Sequence, residues 1–133
     1  MYSHRRKDRL VSRPVHFEIT ASDPQRVINF YEQAFGWKFH KWEGPQTYWL
    51  ITTGEPGQPG IDGGMSERAG ASPASTTNTI GVASVDTAVQ QIEQAGGKVV
   101  HPKMAIPGVG YFAHCQDPDG TSFGIMQSDP TAA

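Results

Sequence analysis

His16 and Glu18 are the residues of this chain whose types and spacing best suit chemistry. They stand two apart in the stretch VHFEIT, residues 15–20, so a strand there puts both on one face. Histidine titrates near neutrality, and a carboxylate beside it makes a candidate acid/base pair. His114, in the run VGYFAHCQ, follows the same logic on a later strand. Tyr48 and Tyr111 offer aromatic faces and hydroxyls to a ligand. Gly63, Gly64 and Gly124 fall inside strand-like runs, where a missing side chain leaves room for something to come close. Plainer readings stand beside these. His16 can be a pocket histidine bonded to Glu18, sheet aromatics commonly fill cores, and strand glycines can mark bulges. His40 and His101 read as solvated residues near strand ends, and Cys115 as a small buried apolar residue. The chain has no G-x-S-x-G, phosphate-binding loop, dinucleotide fingerprint or H-E-x-x-H, so those reaction classes have no support.

The elements that would position these side chains follow from periodicity. Residues 13–20 alternate as a strand with Val15, Phe17 and Ile19 on one face and His16, Glu18 and Thr20 on the other. Asp23-Pro24 suits a helix start, Val27, Ile28, Tyr31, Ala34 and Phe35 form an apolar stripe, and Gly36 suits its end. Strands are expected at 37–42, 46–53 and 61–65, with the loop GEPGQPG between the last two. Residues 66–76, SERAGASPAST, read as a linker. The pattern then restarts: a strand at 77–85, a helix capped by Asp86, a strand at 98–103 that Pro102 ends or confines to an edge, and a hairpin of 109–116 with 121–127 across Asp117-Pro118-Asp119-Gly120. Glu32-Gln33-Ala34-Phe35-Gly36 matches Glu93-Gln94-Ala95-Gly96-Gly97, Tyr48-Trp49 matches Tyr111-Phe112, and Gly63 and Met65 match Gly124 and Met126. The expected fold class is α+β. Two tandem β-α-β-β-β modules, 14–65 and 77–127, would form a curled mixed sheet around a cleft, with helices outside.

Composition narrows the partners. The net charge is −2, yet five of the eleven Lys and Arg residues lie in the first 13, which read as a basic solvated tail. Residues 128–133 read as a short C-terminal tail. The acidic body argues against nucleic acid. No apolar run reaches the ~20 residues of a membrane span, and the tail lacks the apolar core of a signal peptide. One cysteine excludes an internal disulfide and fits a cytoplasmic location.

Residues 14–127 resemble the vicinal oxygen chelate superfamily of glyoxalase I, bleomycin resistance proteins and extradiol dioxygenases. The resemblance rests on HFEITASDPQRVINFYEQAFGW, on the AGGKV turn and on DPDGTSFGIMQ. It implies a cleft for a small molecule and, in metal-dependent members, four side-chain ligands. His16 keeps the first ligand position, seven residues before Asp23. The other three fall on Gly63 or Gly64, on Thr79 or Ile80, and on Gly124, none a conventional ligand. Such sites need about three protein donors, so no cofactor is expected. The resemblance further implies a homodimer. The reading is a small-molecule-binding protein of this superfamily, with His16 and Glu18 as acid/base pair and Tyr48, Gly63, Gly64, Tyr111, His114 and Gly124 against the ligand. The alternatives are a metal-dependent lyase or dioxygenase with substitute ligands, and a non-catalytic interaction module.

Overall fold

Apolar alternation in residues 15–21 turns into strand β1 (Pro14–Ala21), which sends Phe17, Ile19 and Ala21 into a core and leaves His16, Glu18 and Thr20 on its other face. The computed structural model describes residues 11–68 and 74–133. Most of the basic tail and the middle of the expected linker lie outside these residues. The described residues form two units, residues 15–79, and residues 80–133 with residues 11–14.

In the first unit, Asp23 caps helix α1 (Pro24–Phe35) by accepting from the Arg26 N–H, and Pro24 takes the first turn. The helix stops at Gly36, whose φ of 75° is the left-handed conformation that glycine adopts without cost. Strands β2 (Lys38–Lys41), β3 (Tyr48–Thr52) and β4 (Gly63–Glu67) follow. Their order is β2-β3-β4-β1, antiparallel except where β4 runs parallel to β1. Ile19, Ala21, Ile28, Ile51 and Met65 form the core, edged by Phe17, Val27, Tyr31, Trp37, Phe39 and Trp49. Tyr31 and Trp37 stack with ring centres 4.6 Å apart, which ties the end of α1 to the start of β2. Phe35, expected on the buried stripe, is 65% exposed instead and meets Phe30 edge-on outside the core.

Strand β5 (Ser75–Gly81) starts two residues before the expected module boundary and contributes its last two residues to the second unit. There, helix α2 (Val85–Gln94) is capped by Ser84, which accepts from the Thr87 N–H. Asp86, the expected cap, sits in the first turn and pairs with Lys103 at 3.2 Å. The serine two residues earlier has the extended backbone that a cap requires. Strands β6 (Lys98–Ile106), β7 (Gly110–Gln116) and β8 (Ser122–Ser128) complete the unit in the order β5-β8-β7-β6. Pro102 does not end β6. The strand absorbs it through register shifts on this edge. Val85, Ala88, Ala113, Cys115 and Ile125 form the second core. Burial pushes the Cys115 thiol above its ordinary pKa, with the Glu93 carboxylate adding to the shift, which suits its place in that core. Among the described residues, no helix is long and apolar enough to cross a membrane.

The cores depend on side chains with no solvent contact, such as Met65 and Ile125. Met65→Ala or Ile125→Ala should lower the unfolding free energy by about 2–5 kcal/mol, because deletion leaves a cavity. Leu50→Ala, at a 42% exposed position, should cost well under that. Urea denaturation measures all three, and equal losses at buried and exposed sites would contradict this core.

Candidate functional site

Three side chains of the first unit meet at one carboxylate oxygen. The Tyr48 hydroxyl donates to Glu18 Oε2 at 2.7 Å, and His16 Nε2 lies 2.9 Å from the same oxygen and 3.2 Å from the Tyr48 hydroxyl. His16 and Glu18 come from one face of β1, as alternation requires. Tyr48 comes from β3, with β4 lying between the two strands. The phenol reaches across β4 directly above Gly64, which stands opposite Glu18 on one side and Leu50 on the other. A Cβ at residue 64 would overlap the Tyr48 hydroxyl, so only glycine lets the phenol pass.

The surroundings set the charge state of Tyr48. The His16 and Glu18 side chains are 30% and 23% exposed, so the pair is partly desolvated yet reachable. Burial, then the Glu18 charge, then the hydrogen bond to Glu18 raise the Tyr48 pKa far above its ordinary range. Tyr48 therefore remains a proton-bearing donor near neutrality. Trp42 meets Tyr48 edge-on at 6.1 Å and donates its backbone N–H to the Tyr48 carbonyl at 2.8 Å.

Thr79 is a buried polar residue on the strand that lies next to β1 in the sheet. The Thr20 hydroxyl lies 3.1 Å from that of Ser75 and accepts from the Ser75 N–H at 3.2 Å, so the start of β5 lies beside the end of β1 with these side chains on one face. Since β5 neighbours β1 from that point, it must run back along it, and four residues later Thr79 reaches the level of His16. Thr79 is 2% exposed, and its hydroxyl has no hydrogen-bond partner among the described residues. Ile80 faces the other way, onto the second core. Of the two residues left open at this position, Thr79 is the one on the His16 face.

The other expected site residues have the following surroundings within their own units. Gly63 faces the helix side, where the Phe17 ring lies 2.6 Å from the place a Cβ would take. Tyr111 packs on the second core with Lys103 over its ring at 4.8 Å. Its neighbour Phe112 covers Gly124 on the opposite face, which His114 shares. The three glycines thus accommodate aromatic rings of their own unit rather than leaving open space. The structural counterpart of Tyr48 over Gly64 is Phe112 over Gly124, one residue away from the match of Tyr48 with Tyr111. A recess of about 380 Å³ is lined by the β3–β4 loop and by none of the trio. Its Asp62 carboxylate is used within the loop, by the Thr53 N–H at 2.9 Å and the Thr53 hydroxyl at 3.3 Å. Sequence reasoning missed Thr79 as a buried hydroxyl without a partner among the described residues, although Ser75, Thr77 and Thr79 alternate visibly in STTNTIG.

The family described as Glyoxalase/Bleomycin resistance protein/Dioxygenase superfamily matches residues 13–125. The chain belongs to this superfamily. No curated protein matches the sequence. Among solved structures, the chain is similar to the hypothetical protein BH1468 from Bacillus halodurans C-125, at 15% identity and a TM-score of 0.71, covering 93% of this chain and 99% of that one. It is also similar to methylmalonyl-CoA epimerase from Mycobacterium tuberculosis, at 12% identity and a TM-score of 0.68, covering 88% of each chain. A single-residue variant of Streptomyces coelicolor methylmalonyl-CoA epimerase in complex with 2-nitronate-propionyl-CoA matches at 14% identity and a TM-score of 0.67, covering 93% of this chain and 99% of that one. These likenesses show the α+β fold of the superfamily.

Glycine at residues 64 and 124 supplies no side-chain donor for the four-ligand centre that the resemblance leads one to expect in metal-dependent members. His16 and Glu18 supply two donors. The space a ligand at residue 64 would need is filled by the Tyr48 phenol, and Thr79 and Gly124 offer no conventional ligand. Among the described residues, no three His, Cys, Asp or Glu side chains gather around a common point.

Gly64→Ala should displace the phenol, break its bonds to Glu18 and His16, and destabilise the fold by about 1–3 kcal/mol. In a Tyr48→Ala background the same change should cost much less, a coupling read from a double-mutant cycle. Equal costs in both backgrounds would disprove the contact. The raised Tyr48 pKa also predicts an alkaline effect. Its stabilising contribution is complete below the ordinary tyrosine pKa of 10.0. It is lost as pH rises past that value, because the unfolded phenol ionises first. Absorbance titration should show one tyrosine fewer ionising in the folded protein than in the denatured chain, a difference that Tyr48→Phe abolishes.

Proposed function

We propose that this protein binds a small molecule on the polar face of its first unit and moves a proton there, without the four-ligand metal centre. The observation that carries the reading is the convergence of Tyr48 and His16 on one oxygen of Glu18. Glu18 is the base, His16 takes up or returns the proton, and Tyr48 holds the carboxylate in place as a fixed donor. The buried Thr79 hydroxyl supports the reading, because an unpaired buried polar group is costly unless something bonds it, and a bound ligand supplies that partner.

The substrate class we favour is a carbon acid, a molecule with an ionisable C–H beside a carbonyl. Glu18 would take that proton as the C–H electron pair passes into an enolate, and His16 or Glu18 would return one to the carbon. Support for a coenzyme A thioester as the carbon acid comes from the methylmalonyl-CoA epimerases that share the fold, and from that alone. Superfamily membership likewise supports a cytoplasmic homodimer, which sedimentation would test.

A thermal-shift screen that includes acyl-CoA thioesters, run on wild type and His16→Ala, tests binding. At least one compound should stabilise the wild type more than the variant. Incubating that compound in deuterated water tests the proton transfer. Wild type should exchange its α-proton, and Glu18→Gln should lower exchange by about 100-fold or more while retaining binding. A screen in which no compound separates wild type from His16→Ala would remove the basis for this site.

A further inference from the structure

The second unit carries two histidines that the acid/base reading leaves unused. β6 and β7 pair antiparallel, and His101 falls opposite His114 in their register. The register shifts on both sides of His101, between Val99 and His101 and between His101 and Met104, and Pro102 lies within the second shift. A proline cannot donate to the ladder, so a bulge there is expected, and a bulge re-aims the side chains beside it. Both histidines are exposed. Their ring centres are 5.4 Å apart and their planes stand at 82°. Phe112 backs His114 edge-on at 4.7 Å, and Gly124 seats the Phe112 ring.

Neutral imidazole is a good ligand for borderline divalent metals of the first transition row. A metal about 2.1 Å from each nitrogen, with each nitrogen roughly 1.2 Å from its ring centre, sets two rings at a near-tetrahedral angle about 5.3 Å apart. The observed 5.4 Å matches that spacing. The donors stand on paired strands, so holding them together costs less than recruiting them from flexible loops.

We infer that His101 and His114 form a bidentate site for a divalent first-row metal, with Cu²⁺ held more tightly than Ni²⁺ or Zn²⁺. Water or a bound ligand completes the coordination, since the described residues bring no third His, Cys, Asp or Glu to it. Affinity is accordingly below that of a closed four-ligand site. These two residues are outside the four superfamily ligand positions, and the inference stands whether or not the first unit moves protons.

The test is titration of metal-stripped full-length protein with Cu²⁺ or Ni²⁺ by calorimetry, with electron paramagnetic resonance of the Cu²⁺ form. One equivalent should bind, with two nitrogen ligands in the spectrum. His101→Ala and His114→Ala should each weaken binding by about tenfold or more, because either change removes the effective concentration of the second arm. His4→Ala, His16→Ala and His40→Ala should leave it unchanged. Both targeted rings are exposed, so circular dichroism should show the variants folded. Wild-type affinity in either the His101 or the His114 variant overturns the site, as does a loss that follows His4, His16 or His40 instead.

Discussion

The phenol of Tyr48 occupies the space that any side chain at residue 64 would need, and the polar face of the first unit depends on that fit. Glu18 is partly withdrawn from water and gains from hydrogen-bond donors. It gets one from its own strand, His16, and one from a strand that is not its neighbour. The second donor arrives only because β4 has no Cβ at the crossing point. Glycine within a strand ordinarily weakens it. Here the loss is offset by a charge-assisted hydrogen bond of 2.7 Å and by burial of the aromatic ring.

The same backbone device occurs in both units with different chemistry. Each places a strand glycine under an aromatic ring from the strand before, Tyr48 over Gly64 and Phe112 over Gly124. The core residues keep step, with Met65 and Ile125 buried next to those glycines and Ile51 and Cys115 buried on the partner strands. In the first unit the ring carries a hydroxyl that meets a carboxylate. In the second it is a plain phenyl that backs a histidine. A duplicated scaffold thus holds a hydrogen-bonded His-Glu-Tyr trio in one copy and a histidine pair in the other, which fits the general separation of fold from function.

Superfamily membership and glycine at residues 64 and 124 are compatible for a physical reason. The fold is held by apolar faces, helix caps and turns, and none of these involves the four ligand positions. Residues 64 and 124 are free to become glycine provided something fills the space, and Tyr48 and Phe112 fill it. Of the polar residues on that face, His16 and Glu18 hydrogen-bond to each other and to Tyr48.

The sequence by itself determined the α+β class, the duplication, the helix starts and stops at Asp23 and Gly36, and the shared face of His16 and Glu18. Each follows from local rules: a period of two or of 3.6, a cap, a glycine at positive φ. Tertiary structure alone decided that Tyr48 reaches Glu18, that Gly64 makes room for it, that Thr79 and not Ile80 shares the His16 face, and that His101 stands opposite His114. Those facts depend on strand order and register. A shift of one residue moves a side chain to the other face, which is why the residue pattern pairs Tyr48 with Tyr111 although Phe112 holds that place. Bulges such as those flanking His101 shift register without any periodic signal, so the pairing of the two histidines has no trace in the order of residues along the chain.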